Sequence, residues 1–266
     1  MLFFGRRPPT LVIKPAANAK EGSHGNRRKD SVGDWREQGP GAHLCRGADA
    51  GGGLEVYAGA RDPSTVSDPL FTPLRLDVTS PADIAAAAET CGDVEILINN
   101  AGAMFATPVL AENAEEMLRR EMEVNVFGML AMARAFAPLL ARNGGGAIVN
   151  MLSVVSWYVY PFNSTYGATK HAALAVTEGL RIQLKAQGTR VIGVYAGLID
   201  TEMGAALSPG PKTSQQQVAG KTIEGILGGL DHVLADERAE ELWRATRDDL
   251  VKLQSETQIR WDRRST

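Results

Sequence analysis

The sequence has 266 residues, of which 44% are hydrophobic and 22% charged, with a net charge of -3 and a pI near 5.9. This length suits one large α/β domain or two small ones. The charge excludes the basic field of a nucleic-acid-binding protein, and no run approaches the roughly 18 apolar residues of a membrane span. We therefore expect small molecules as partners, with no nucleic acid and no membrane.

The two cysteines, Cys45 and Cys91, are isolated from each other and from any histidine cluster. This predicts neither a disulfide framework nor a metal site, and it favours inert thiols in a reducing compartment, the cytoplasm. The opening MLFFGRRPP has too short an apolar run, and the wrong order of charge, for a secretory signal. A transit peptide is a weaker interpretation, because Glu21 and Asp30 interrupt the basic stretch.

Residues 1–53 are rich in Gly, Arg, Asn, Lys and Pro, a composition that predicts a disordered extension. Within them, TLVIKP at residues 10–15 is the only plausible strand. From residue 54 onward, short β-rich runs alternate with helical patterns, which is typical of βαβ units and a parallel sheet. The predicted strands cover residues 54–60, 73–78, 94–100, 145–152 and 190–197, and the helical patterns cover 80–92, 113–143, 153–188, 215–233 and 235–264.

Tyr166 and Lys170 stand four residues apart in a helix rich in Ala and Leu, so both side chains lie on one helix face. A tyrosine of pKa ~10 is a poor acid or base at neutral pH, but a nearby ammonium favours the phenolate. The pair is therefore a candidate proton-transfer unit. The alternative is a chance pair on a solvated helix face.

Three more polar positions surround this pair in the expected parallel fold. Ser153 ends a predicted strand at the carboxyl edge, where open α/β sheets bind ligands, and Asn100 ends another. Asn125 lies in a mostly apolar helix and must find buried partners. The alternatives are a strand cap at Asn100 and a core amide at Asn125.

In this order NNAG, the asparagine of VNVFG, the strand-end serine and YGATK resemble the short-chain dehydrogenase/reductase family over about residues 54–255. The resemblance implies a Rossmann-like, doubly wound parallel sheet with helices on both faces, and a nicotinamide-dependent oxidoreductase. Tyr166 would then be the general acid in reduction, and Lys170 would lower its pKa and bind the nicotinamide ribose. Ser153 would orient the carbonyl, and Asn125 would support a water-linked proton path to Lys170.

The resemblance also implies the cofactor-binding residues. Ala60 and Arg61 end the second strand without an acidic residue, which favours NADP(H) over NAD(H), although Asp62 argues for caution. At the nicotinamide-side bend Ala196 stands where the family usually has Pro, so the backbone is less restricted there. The implied contacts, besides Arg61, Tyr166 and Lys170, are Asp77, Val78, Asn100, Ala101, Gly102, Gly197, Ile199 and Thr201.

One part of the family pattern is missing. A dinucleotide fold needs a first strand followed by a glycine-rich turn that binds the pyrophosphate, here Thr-Gly-x-x-x-Gly-x-Gly, and no stretch contains it. Reading the codons of residues 34–52 one base later permits such a turn and its helix. We therefore expect residues 1–53 to be irregular or translated out of frame, with the first strand missing, and residues 54–266 to form the Rossmann-like domain.

The family resemblance implies interconversion of a carbonyl and a secondary alcohol, and we expect a small, mostly apolar substrate. The alternative is a non-enzymatic relic of the family that cannot bind cofactor. The resemblance further implies a homodimer or homotetramer formed through the Tyr166 and Asn125 helices. Residues 203–214 suit a lid. Six side chains could line an apolar pocket or, as the alternative, pack as an aromatic core: Met104, Phe105, Trp157, Tyr158, Tyr160 and Phe162.

Overall fold

The fold is a seven-stranded sheet in a computed structural model that describes residues 10–15, 54–69, 71–201 and 212–263. The strand order is β3-β2-β1-β4-β5-β6-β7. All neighbouring pairs are parallel except the two that β1 makes, with β2 and with β4. The strands are β1 Thr10–Pro15, β2 Leu54–Ala60, β3 Phe71–Arg75, β4 Ile96–Asn99, β5 Gly146–Met151, β6 Thr189–Tyr195 and β7 His232–Leu234.

Helices follow most of the parallel strands, as the alternating pattern predicts. A π-helical turn, Glu123–Gly128, joins two of them into one long run. Short 3-10 turns at Val154–Ser156 and Pro161–Asn163 lead into the longest helix. The helices are α1 Pro81–Thr90, α2 Ala114–Met122, α3 Met129–Arg142, α4 Ser164–Leu184, α5 Gln215–Gly228, α6 Glu237–Asp248 and α7 Leu250–Asp262.

We expected the first strand to be missing from the centre of the sheet, but β1 lies there, between β2 and β4. TLVIKP occupies the place of the missing first strand, but it runs in reverse, with Thr10 opposite Gly59 and Pro15 opposite Leu54. An antiparallel strand satisfies the same backbone groups as a parallel one, so it closes the sheet between β2 and β4. Its direction means that the chain leaves Pro15 at the edge opposite the carboxyl ends of the parallel strands.

Successive residues of the central strands feed two cores, one on each face. Leu97 and Ile148 pack with α1, α3 and α4, whereas Ile98 and Val149 pack with α5 on the other face. This period of two is what a sheet covered on both faces requires. Cys91 is buried in the first core, and Cys45 lies outside the described residues.

Two helix predictions near the carboxyl end need correction. The pattern predicted one helix over residues 215–233, but α5 ends at Gly228 and residues 232–234 form β7 beside β6. Gly229 adopts a left-handed φ of 70°, which ends the helix and reverses the chain. The predicted helix over 235–264 is broken at Asp249, whose extended backbone separates α6 from α7.

The run Ala114–Arg142 is long and apolar enough, by length and composition alone, to cross a membrane. Its most apolar window is 61% buried inside the fold. Phe136 and Leu140 face the sheet in the first core, with no solvent exposure. The run therefore has the environment of a core helix.

Candidate active site

Tyr166 and Lys170 lie one turn apart near the start of α4, as their spacing predicted. The Lys170 ammonium lies 5.5 Å from the centroid of the Tyr166 ring, and its Nζ donates to the carbonyl oxygen of Met151 at 2.7 Å. Lys170 is buried, and Tyr166 is half-buried. An ammonium has three donors, so Lys170 retains N–H groups for a ribose hydroxyl.

The electrostatics of this pair differ from the expectation in one respect. In the chain alone, the pKa of Tyr166 is raised, first by burial of the phenol and then by repulsion from Glu121. Lys170 faces the ring rather than the hydroxyl, and it does not lower that pKa here. Burial instead lowers the pKa of Lys170 to about 8.

This lowered pKa predicts a pH dependence. Lys170 is charged below pH 8 and loses its proton above it, so kcat/KM for reduction should fall as the pH rises through about 8. In Lys170→Arg the guanidinium stays charged, and the fall near pH 8 should disappear even if the overall rate is lower. Lys185→Arg, an exposed control, should keep the wild-type profile. A fall at the same pH in Lys170→Arg would contradict the assignment.

Ser153 follows β5 and lies at the carboxyl edge, where the sequence placed it. Its hydroxyl lies where it lowers the pKa of Tyr166, against the larger effect of burial, and it donates to the carbonyl oxygen of Ala196 at 3.4 Å. The backbone N–H of Val155 donates to Ser153 Oγ at 3.4 Å, and the Ser156 hydroxyl caps the same turn. The turn therefore fixes the serine hydroxyl beside the phenol.

Asn125 lies in the π-helical turn, and insertions of this kind are frequent at functional sites. Its Oδ1 accepts from Ala103 N at 2.7 Å, and its Nδ2 donates to Ala103 O at 2.8 Å and to Thr169 Oγ1 at 2.9 Å. The side-chain amide thus ties the loop after β4 to α4, which is the buried-amide interpretation. The water-linked path to Lys170 stays a prediction.

The loop after β4 begins at Asn100, at the carboxyl edge near the middle of the sheet. Asn100 and Gly102 are buried and Ala101 is half-buried. A Cβ on Gly102 would lie 3.6 Å from Asn125 Oδ1, an ordinary contact, so the loop packs closely on the Asn125 helix. Asn125 in turn joins Ala103, the residue after Gly102, to Thr169 on the helix that carries Tyr166.

The adenine-side positions lie at the ends of β2 and β3. Asp77 Oδ1 accepts from the backbone N–H and the hydroxyl of Thr79, at 2.9 and 2.7 Å, so its carboxylate shapes the turn. Val78 is buried, and a Cβ on Gly128 would lie 2.8 Å from Val78 Cγ2, so glycine lets the helix approach this turn. Sequence reasoning missed Arg75, whose Nη1 donates to the Arg61 carbonyl oxygen at 3.1 Å.

The nicotinamide-side loop follows β6. Gly197 N donates to Asp236 Oδ2 at 2.8 Å, and Thr213 Oγ1 donates to the same oxygen at 2.9 Å. Ile199 bridges to Thr213, and Thr201 N donates to Ile199 O at 2.9 Å. Asp236 was missed by sequence reasoning, since it is distant in the chain. It restrains the bend that lacks the family's proline.

The described residues suit the nicotinamide and adenine ends of a dinucleotide. Lys170 offers ammonium donors for a ribose, the loop after β4 offers a close-packed backbone, and Arg61 offers a cation at the adenine end. They do not include a pyrophosphate turn, because within the described ranges no glycine-rich turn follows β1 at this edge. The proposed out-of-frame stretch, residues 34–52, lies outside them and stays a prediction.

Three rings of the predicted apolar pocket contact other aromatic rings. Trp157 lies 4.3 Å from the Tyr195 ring and 4.8 Å from the Trp243 ring on α6, measured between centroids. Tyr160 and Phe162 form an edge contact at 5.4 Å. The aromatic core interpretation therefore holds for Trp157, while Met104, Phe105 and Tyr158 are half-buried near the candidate site.

The sequence matches the family model for short chain dehydrogenases over residues 60–212. The chain belongs to the short-chain dehydrogenase family. The family assignment and the Rossmann-like fold class are therefore confirmed. The match begins at the end of β2, so the family assignment does not depend on the unusual amino-terminal region.

Individual short-chain dehydrogenases give the same picture. A Burkholderia cenocepacia J2315 member, solved in complex with NADP, shares 38% identity and a TM-score of 0.78, over 82% of this chain and 92% of that one. A Burkholderia phymatum member, solved in complex with NAD, shares the fold with a TM-score of 0.70. It is 23% identical, and the match covers 81% of this chain and 91% of that one. The NADPH-dependent 1-acyldihydroxyacetone phosphate reductase of Schizosaccharomyces pombe is 33% identical over 57% of this chain and 53% of its own length. The chain spans about half the length of the first curated relatives it matches.

Proposed function

We propose that the protein is an NADP(H)-dependent oxidoreductase that interconverts a carbonyl and a secondary alcohol on a small, mostly apolar substrate. The observation that carries this proposal is the grouping of Ser153, Tyr166 and Lys170 at the carboxyl edge of the sheet. Half-buried apolar side chains beside it, including Met104 and Phe105, favour an apolar substrate.

Each residue of this group has a distinct task in carbonyl reduction. The cofactor supplies the hydride when bound. Ser153 donates a hydrogen bond that orients the substrate carbonyl, and the Tyr166 hydroxyl gives its proton to the carbonyl oxygen. The Lys170 ammonium binds the ribose, and we propose that its charge acts on the phenolate once the cofactor is in place, an effect that the chain alone does not have. In alcohol oxidation the same groups act in reverse, with Tyr166 as the base.

The direct test is consumption of NADPH, followed by its absorbance, with a panel of aliphatic and aromatic ketones and aldehydes. Turnover of at least one carbonyl, and the reverse reaction with the matching alcohol and NADP, is the expected result. Absence of turnover across the panel in both directions, with a folded chain that binds NADPH, would refute the proposed activity.

The preference for NADP(H) rests on two arginines. Arg61 directly follows β2, and Arg75 ends the neighbouring strand β3, so both lie where we propose that a 2′-phosphate binds. The Arg75 Nε also lies 3.6 Å from Asp83 Oδ2. Asp62, the reason for caution, accepts from Ser64 N at 3.0 Å and Ser64 Oγ at 2.7 Å and caps the following turn. A carboxylate used in this way is not aimed at a ribose hydroxyl.

Arg61→Ala is therefore expected to raise the dissociation constant for NADPH about tenfold, with little change for NADH, because each charge-assisted bond to a phosphate is worth roughly 1.5 kcal/mol. The measurement is a binding titration with both cofactors. Arg119→Ala, an exposed arginine on α2, is the control and should bind both as wild type does. Equal weakening of NADPH and NADH would contradict the 2′-phosphate contact.

The alternative, a relic without cofactor, is not favoured, because the chain resembles dehydrogenases and reductases and retains the whole Ser153, Tyr166 and Lys170 group. Thermal melting with NADPH or NADH distinguishes an enzyme from a relic, since a ligand at 100 times its dissociation constant stabilises the folded chain by roughly 2.7 kcal/mol.

We also propose a cytoplasmic homo-oligomer. Phe127 and Ile182, 50% and 77% exposed on the predicted contact helices, support the oligomer.

A further inference from the structure

Glu121 is a fully buried carboxyl that the proposed reaction does not use. It lies on α2, one helical turn before Asn125, with no exposed surface. Its Oε1 accepts from Phe105 N at 2.7 Å, and its Oε2 has no hydrogen-bond partner within the part of the chain that the structure describes. Carboxyls are almost never buried in this way unless paired, because desolvation of the charge is costly.

A chain of hydrogen bonds joins Glu121 to the start of α4. Glu121 holds Phe105 N, and the Phe105 carbonyl oxygen accepts from Thr107 Oγ1 at 3.2 Å. The Thr107 carbonyl oxygen then accepts from both the backbone N–H and the hydroxyl of Thr165, each at 3.2 Å. Thr165 immediately precedes Tyr166. The loop of residues 103–107 thus connects the carboxyl to the helix turn that carries the phenol.

This loop is held in a costly conformation. Ala106 has a φ of 50°, in the left-handed region, which costs an alanine roughly 1 kcal/mol. Glu121 anchors the residue before it, and Asn125 anchors Ala103 through two hydrogen bonds. Strain of this kind persists only where the surroundings impose it, and it concentrates at functional sites.

We propose that Glu121 is a positioning residue for Tyr166. Glu121 fixes the loop of residues 103–107 and places a carboxyl near the phenol. The proposal rests on the role of Tyr166 as proton donor in the proposed function. Its two parts are separable by substitution, because glutamine keeps the oxygen that Phe105 needs and removes the charge.

The electrostatics support the second part. Burial raises the pKa of Glu121 against the opposing effects of the Phe105 N–H and the Thr165 hydroxyl. The pKa of Tyr166 is raised by burial and, to a smaller extent, by repulsion from Glu121. The other charged groups nearby are Lys170, over the Tyr166 ring, and Arg120, which lies over the Phe105 ring at 4.5 Å and pairs with Glu116 at 3.5 Å. Residues 103–107 contain no titratable side chain.

The first experiment is the pH profile of kcat/KM for alcohol oxidation, which rises as Tyr166 ionises. In Glu121→Gln the rise should move about one pH unit lower, so that oxidation at a pH below the plateau is up to about tenfold faster. Glu123→Gln, an exposed carboxyl two residues away, should leave the profile unchanged. A Glu121→Gln profile that coincides with wild type would overturn the electrostatic part.

The second experiment needs no turnover and therefore distinguishes failure of this proposal from failure of the proposed function. Amide hydrogen exchange of the uncomplexed chain should accelerate at least tenfold at Phe105 and Thr165 in Glu121→Ala, because the loop loses its anchor. Glu121→Gln should keep wild-type exchange, and so should Glu123→Ala. Unchanged exchange in Glu121→Ala would overturn the positioning role, whether or not the chain shows dehydrogenase activity.

Discussion

Tyr166→Phe should lower kcat by at least about 10²-fold, the lower end of what a general acid contributes, while the dissociation constant for NADPH changes less than about threefold. The substitution removes only the phenol hydroxyl, and the ring that faces Lys170 remains. Steady-state kinetics with the best carbonyl substrate, together with a cofactor titration, measure both quantities.

The matched control for this experiment is Tyr57→Phe. Tyr57 lies on β2, is buried in the first core and is not among the candidate pocket residues, so loss of its hydroxyl should leave kcat within about twofold of wild type. If Tyr166→Phe retained more than a tenth of wild-type kcat, another group would have to donate the proton. Loss of cofactor binding in that variant would instead indicate a packing role.

Val12→Pro should destabilise the chain by about 3 kcal/mol, because proline within a central strand removes a ladder hydrogen bond and leaves the buried acceptor unpaired. Val12 pairs with Tyr57 on one side and Leu97 on the other. The expected fall in Tm is about 6–12 °C for a chain of this size. Thermal melting by circular dichroism measures it.

Val12→Thr is the comparison variant, since it keeps the backbone N–H and the branched Cβ that suit a strand. It should cost clearly less than Val12→Pro. Equal melting of Val12→Pro and wild type would mean that the antiparallel pairing of β1 does not hold the centre of the sheet.

Local sequence was sufficient for the parts of the site that depend on short spacing. Tyr166 and Lys170 are close because a helix brings residues four apart onto one face, and Ser153 follows a strand recognisable by its apolar run. Glu121 and Arg75 could not be found in this way. Their partners, Phe105 and Arg61, are 16 and 14 residues away, and those contacts depend on how strands and helices assemble.

The same limit applies to the sheet. TLVIKP was recognised as a strand, but alternation of side chains is the same in both directions, so its reversal depends on which neighbours are available. β7 has three residues and follows a helical pattern, so its pairing with β6 outweighs a weak local signal.

The reversed strand β1 also sets the distance between β2 and β4. In the strand order, β2 and β3 lead to the proposed adenine-end residues Arg61 and Arg75, while β4 to β6 lead to the proposed nicotinamide end, and among the described strands β1 lies between them. With β1 in place, β2 and β4 are two strand spacings apart, about 9.6 Å, whereas direct pairing would bring them to about 4.8 Å. Within the described residues β1 carries no pyrophosphate turn at this edge, yet it acts as the spacer that keeps the two proposed ends of the site at the separation a dinucleotide must span.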